Sequence, residues 1–337
     1  MTTIAGHAPA PRDEERGRSS VRVLVIALAI QFALAGAAIY FAVAGWPFVG
    51  GGRHATAVHV DRRFQSAGAL AGVPTPKTDR FDAAGAMRLL RRQVTVYGFR
   101  PAGSKALQRL AIDLRGRLPR GRLEAIPRNP GLRNVIGTIP GRLPAIVVGA
   151  HYDVFPEPPG YLGANDGAGG TAVVVELARA LRRLPAPRGA REIRFVLFDG
   201  EELPLGKSDF LNDALRGSKA YVRAHPAEVR AMVLLDYVAN RGLQLPREER
   251  STPALWHALR AAASRVGTTS VFPSTTQGGI DDDHTPFLDA GLPAIDLIDF
   301  AYPSRDTLED TVDKISERSL DVTGETVLDL LAHERRR

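Results

Sequence analysis

Apolar residues recur in two rhythms along this chain. Over Asp82 to Val96 and Ser104 to Leu118 they return every three or four positions, the spacing of one face of a helix. The same rhythm marks Ala172 to Leu184, Ser218 to Ala224, Pro253 to Val266 and Ser316 to His333. Between them lie short apolar runs that read as strands: Asn134 to Ile139, Ala145 to Gly149, Ile193 to Phe198, Met232 to Leu235 and Ala294 to Ile298. The run at 193 to 198 is nearly continuous, as expected of a strand buried on both faces. Strands alternating with helices predict a layered α/β/α domain with a largely parallel sheet.

A different pattern precedes residue 80. Residues 1–20 form a polar tail, and 21–44 contain an uncharged stretch, Val23 to Phe41, whose sole amide is Gln31. Nineteen helical residues rise about 29 Å, which matches a hydrocarbon core of about 30 Å. This predicts one transmembrane helix ahead of the α/β domain. Arg12, Arg16, Arg18 and Arg22 before it favour a cytoplasmic N-terminus and an α/β domain outside the cytoplasm. Two alternatives stand beside the anchor. Ala42-Val43-Ala44 fits signal-peptide cleavage and secretion, and a buried globular helix would be the plainest reading, although the segment has no polar face. Residues 45–79 are rich in Gly, Ala and Pro and read as a linker, leaving 80–337 as the α/β domain.

Composition narrows the chemistry. A hydrophobic fraction of 44% over 337 residues suits a globular protein. There are no cysteines, so any metal must be held by histidine and carboxylates. The net charge of +7 is spread over helical stretches such as Arg88 to Arg92. That pattern is a solvated surface, compatible with nearby anionic lipid, and no nucleic-acid module is visible.

The candidate chemistry falls where predicted strands end, the place where open α/β sheets hold their ligands. His151 leaves its strand in Gly149-Ala150-His151-Tyr152-Asp153, where an imidazole could bind zinc and Asp153 could orient it. Asn165-Asp166-Gly167-Ala168-Gly169-Gly170 precedes a helix. It lacks the Lys-Ser/Thr of a phosphate loop, and a helix cap by Asp166 is its simplest alternative. Glu201 and Glu202 follow the most apolar strand. One can bind a metal while the other faces substrate and moves protons. Asp236 ends another strand, and Asp281-Asp282-Asp283-His284 adds acids and an imidazole, although acidic loops also start ordinary helices.

The joint order of these segments, with Arg100-Pro-Ala-Gly-Ser104, Gly217-Ser218, DDHTPF and Asp310-Thr-Val-Asp-Lys-Ile315, resembles the zinc peptidase family that contains co-catalytic bacterial aminopeptidases and glutaminyl cyclases. The resemblance runs from about residue 82 to the C-terminus. It implies a single α/β/α domain with a mixed sheet, one or two zinc ions, and a peptide substrate. On the aminopeptidase pattern, His151 and Asp236 would bind one zinc, Asp166 would bridge to a second held by Glu202, and Glu201 would be the general base. On the cyclase pattern one zinc would sit on Asp166, Glu202 and a late histidine. Glu201 would then move a proton from the α-amine to the departing ammonia, assisted by Asp282. The long stretch between Glu202 and Gly217 and the run from Ile280 to Phe300 lean towards the cyclases. The late histidine and its preceding aromatic are replaced here by Asp306 and Arg305. Asp306 is therefore a candidate ligand in that place, where an all-oxygen set would open the site to divalent metals other than zinc. The alternative reading of the same replacement is a catalytically altered, membrane-anchored domain that binds peptides without turning them over.

Overall fold

A computed structural model describes residues 72–337. The tail and anchor assigned to 1–44, and the linker as far as residue 71, lie outside the described residues. Among the described residues no helix is long and apolar enough to cross a membrane. Chain packing begins upstream of residue 80. The Lys77 amide donates to the Val266 carbonyl at 2.8 Å, and the Phe81 amide donates to Glu325 Oε1 at 2.7 Å.

The principal sheet has six strands: β1 (Arg122–Ala125), β2 (Arg133–Ile139), β3 (Arg142–His151), β4 (Arg191–Phe198), β5 (Val229–Asp236) and β8 (Ala294–Ile298), in the order β1-β2-β4-β3-β5-β8. β4, β3, β5 and β8 run parallel, while β1 and β2 are antiparallel additions at one edge. The sheet is therefore mixed and mostly parallel. Two short strands, β6 (Arg247–Glu248) and β7 (Thr276–Gln277), pair separately.

Side chains of the central strands alternate between two apolar clusters, as the period of two requires. Val148, Phe195, Leu197, Val233, Leu235 and Leu297 join the larger cluster, with α1 (Ala83–Arg92), α2 (Lys105–Arg117), α3 (Ala168–Arg183), α6 (Pro253–Val266) and α8 (Glu317–Glu334). Val147, Val196, Phe198, Met232 and Leu234 join the smaller one, with α5 (Arg216–Ala224) and α7 (Thr285–Asp289). The result is the expected three layers, with most helices on one side. A one-turn helix, α4 (Phe210–Asp213), lies in the stretch after Glu202.

Because β3, β4, β5 and β8 are parallel, their C-terminal ends open on one edge. β3 stands at the switch point, with β4 on one side and β5 on the other. A crevice there is the expected ligand site of an open α/β sheet.

Candidate metal centre and acid pair

His151 is the last residue of β3, and its ring is 2% exposed. Its Nε2 lies 2.9 Å from Asp166 Oδ1 and 3.3 Å from Asp236 Oδ1. Asp236 ends β5 beside it. Two sets of potential ligand atoms meet at this imidazole: His151 with Asp166 and Asp236, and His151 with Glu201 and Glu202. The structure thus gathers five of the residues singled out in the sequence.

The loop carrying Asp166 is shaped by close approaches. Gly167 has φ +74°, and a Cβ there would stand 2.5 Å from the Asp153 carbonyl. A Cβ on Gly170 would stand 2.0 Å from the Leu235 carbonyl. Glycine is required at both positions for α3 to press against the strand ends. Asp166 is not a helix cap, since Gly167 takes that position without a side-chain bond. Its Oδ2 accepts from Tyr161 at 2.8 Å and Tyr237 at 3.0 Å. Below it, the fully buried Arg100 donates to the carbonyls of Tyr152, Leu162, Gly163 and Asp166. Asp310 accepts from the amides of Asn165 and Asp166, each at 3.0 Å.

Asp153 plays a different part from the one expected. Its Oδ1 is 3.7 Å from His151 Nδ1, beyond an ordinary hydrogen bond. Its two oxygens accept instead from the amides of Glu201 and Glu202, each at 3.3 Å. It ties the acid pair to the end of β3. The stretch after Glu202 returns to the same place: the Leu215 amide donates to the Glu201 carbonyl and the Arg216 amide to the Gly200 carbonyl, both at 2.9 Å. Glu201 is buried and Glu202 half-buried. Asp282 is 3% exposed and contributes to the negative field at Glu201.

Charge balance at the centre is strained in one direction. Burial pushes the Glu201 carboxyl well above its usual range, and neighbouring Glu202 adds to this. Burial and then Asp166 do the same to Glu202. Burial raises Asp236 to about 6 and Asp282 to about 7. For His151 burial favours the neutral ring, but Asp153, Asp166 and Asp236 outweigh it and hold its pKa well above the usual value. One imidazole thus faces several buried carboxylates, and its Nδ1 has no hydrogen-bond partner. Nitrogen and carboxylate donors in this mix suit zinc, and a divalent cation would relieve the repulsion among the acids.

Asp306 reaches the edge of this centre but joins neither ligand set. Its Oδ1 accepts from the Tyr237 hydroxyl at 3.0 Å, the same hydroxyl that contacts Asp166. Its backbone is left-handed, φ +58°. Arg305 Nε lies 3.4 Å from Asp306 Oδ2, and the guanidinium sits 3.6 Å above the Phe300 ring. Sequence reasoning gave no role to Arg100, Tyr161, Tyr237 or Asp310. Arg100 and Asp310 lie inside motifs already recognised and Tyr237 directly follows Asp236, while Tyr161 had no signal at all.

The aminopeptidase YwaD of Bacillus subtilis is 34% identical over 188 residues, covering 54% of this chain and 39% of its own length. The glutaminyl-peptide cyclotransferase of Bothrops jararaca is 29% identical over 230 residues, covering 56% of this chain and 61% of its own length. These alignments therefore span about two fifths and three fifths of the relatives' lengths. In three dimensions, a glutaminyl cyclase from an Acidobacteriales bacterium superposes with a TM-score of 0.66 at 27% identity, over 77% of this chain and 97% of that one. The sequence profile of Peptidase family M28 matches residues 134–331. That is more than half of the chain and includes His151, Asp166, Glu201, Glu202 and Asp236, so the chain belongs to Peptidase family M28.

Proposed function

We propose that this enzyme is zinc-dependent and acts on the N-terminal end of peptides, cyclising N-terminal glutamine. The observation that carries the reading is the buried acid pair beside the ligand cluster: Glu201 at 7% exposure, with Asp282 at 3% in its field. Cyclisation needs one group that takes a proton from the attacking α-amine and returns it to the departing nitrogen. Glu201 fills that role in this reading. A buried carboxyl whose pKa is raised holds a proton readily and can pass it on to a leaving group. The amine nitrogen bonds to the side-chain amide carbon, the carbon–nitrogen bond to the amide nitrogen breaks, and ammonia leaves with the proton that Glu201 carried. The negative field of Asp282 raises the proton affinity of Glu201. Zinc held by Asp166 and Glu202, with Asp306 in the late-histidine place, would supply Lewis acidity at the amide oxygen.

A second reading is hydrolysis of the first peptide bond. It is favoured by the contact of His151 with Asp236 at 3.3 Å, which gives ligands for a second ion across Asp166. The same Glu201 would then take its proton from water.

One assay separates the readings. Metal-replete enzyme is given a peptide with N-terminal glutamine and, separately, an aminoacyl amide, and zinc per chain is measured on the same sample. Ammonia and a blocked N-terminus are expected from the first substrate. Release of free amino acid with no cyclisation would move the chain to the aminopeptidases. Bound metal with turnover of neither would indicate a peptide-binding domain.

A further inference from the structure

Behind the acid pair, a second group of ionisable side chains is closed off from solvent. Asp296 occupies the middle of β8, between Ile295 and Leu297, where the strand pattern calls for an apolar residue. It is 0% exposed, and neither carboxylate oxygen has a hydrogen-bond partner. His284, just before α7, is 0% exposed as well, and neither ring nitrogen has a well-formed hydrogen bond. Asp282 Oδ2 is also without a partner. Potential ligand atoms of Asp282, His284 and Asp296 all lie within 4.8 Å of one another.

The ring is held from one side. Glu248 accepts from the amides of Arg250 at 2.8 Å, Ser251 at 2.7 Å and Ile280 at 3.2 Å. Its Oε2 is 3.2 Å from His284 Nε2, close but out of line. On the other side, His284 Nδ1 is 3.8 Å from Asp296 Oδ2. A carboxylate behind one nitrogen, with the other nitrogen facing acids, is the outer arrangement typical of a metal-bound histidine. Buried acceptors that face one another are costly unless they share a proton or a cation. Arg250, whose amide bonds Glu248, turns its guanidinium outward to Asp281 and Asp289.

We propose that Asp282, His284 and Asp296 form a second cation site, distinct from the His151 centre, with Glu248 as the carboxylate that orients His284. One nitrogen and two carboxylates fit a divalent ion of the zinc or manganese class. They supply too few oxygens for calcium, which takes six to eight. Full burial makes this a structural site, filled as the chain folds. It shares Asp282 with the acid–base site proposed above, and a bound cation would offset the negative field of that carboxylate at Glu201.

The test uses zinc as the probe. Crystals of the wild-type chain grown with zinc chloride are measured at the zinc absorption edge. An anomalous peak among Asp282, His284 and Asp296, separate from any at His151, is expected. A map with the first centre loaded and no peak there overturns the proposal, since the acids would then be sharing protons. Elemental analysis after exhaustive dialysis gives a second readout. Asp296→Asn and His284→Gln should each lose one tightly held equivalent, with affinity for it falling on the order of 100-fold or more, while the equivalent at His151 remains. Wild-type zinc content in both folded variants would equally overturn it. If neither variant folds, the wild-type map decides.

Discussion

Replacing Glu201 by glutamine tests the proposed chemistry most directly. The substitution keeps shape and volume, so the buried pocket around residue 201 should not collapse. The backbone amide bonded to Asp153 at 3.3 Å is untouched. What is lost is the ability to take up and release a proton. A positioned acid–base group contributes about 10²–10⁴-fold in rate, equivalent to about 3–5 kcal/mol of barrier. kcat should fall by that factor while bound zinc stays at the wild-type level. Stability should move the other way. The wild-type acid binds its proton more tightly in the folded chain, where burial and Glu202 disfavour charge, than in the unfolded one. Its contribution to stability is therefore present below the unfolded pKa and is lost as pH rises through the folded value. Glutamine cannot ionise, so in EDTA the variant should melt higher than wild type at neutral pH, with the difference vanishing in acid. Steady-state kinetics on metal-replete samples and thermal melts from pH 4 to 8 measure both effects. Near-full activity in Glu201→Gln, with zinc bound, would refute the assigned role.

Three further outcomes are expected. Glu202→Gln should lose metal as well as activity, in contrast to its neighbour, as elemental analysis will show. Asp306→His should raise zinc affinity and leave the fold intact, while Asp306→Ala should weaken binding about 10–100-fold. Equal affinities by calorimetry in wild type and both variants would remove Asp306 from the site. The full-length chain should fractionate with membranes through residues 21–44 and keep its N-terminal tail protected from protease in intact cells. A mature chain starting at Gly45 would instead mark a cleaved signal and secretion.

Elements with strong local punctuation were legible in the sequence. The helix from Pro253 to Val266 has proline in its first turn and Gly267 at φ +81° beyond its end, and its limits agree with the pattern. The strand from Ala294 to Ile298 also agrees. α3 starts at Ala168, a turn earlier than its apolar rhythm predicts, because Gly169 and Gly170 read as loop residues. Their role is tertiary: they let the helix touch Ala239 and the Leu235 carbonyl. β1 was missed because Arg122 to Ala125 is an edge strand with exposed ends, and four residues are too few for its polar–apolar alternation to stand out. At the site, the strand-end acids and His151 were legible because they interrupt apolar runs. Arg100, Tyr161 and Asp310 were not, because each acts on the Asp166 loop through contacts that no local pattern records.

The way Asp310 seats the Asp166 loop also bears on how the enzyme is made. The loop is pinned by Arg100 from before the first strand and by Asp310 from after the last, with Tyr237 between them. Contacts separated by 144 residues, as between Asp166 and Asp310, form late because long chain segments must close first. A nascent chain that has not yet produced Asp310 has every ligand of the His151 cluster but lacks the anchor that places Asp166. If the His151 centre holds metal as proposed, uptake there would be deferred to the nearly finished polypeptide. Chains released before residue 310 should emerge without a tight metal site.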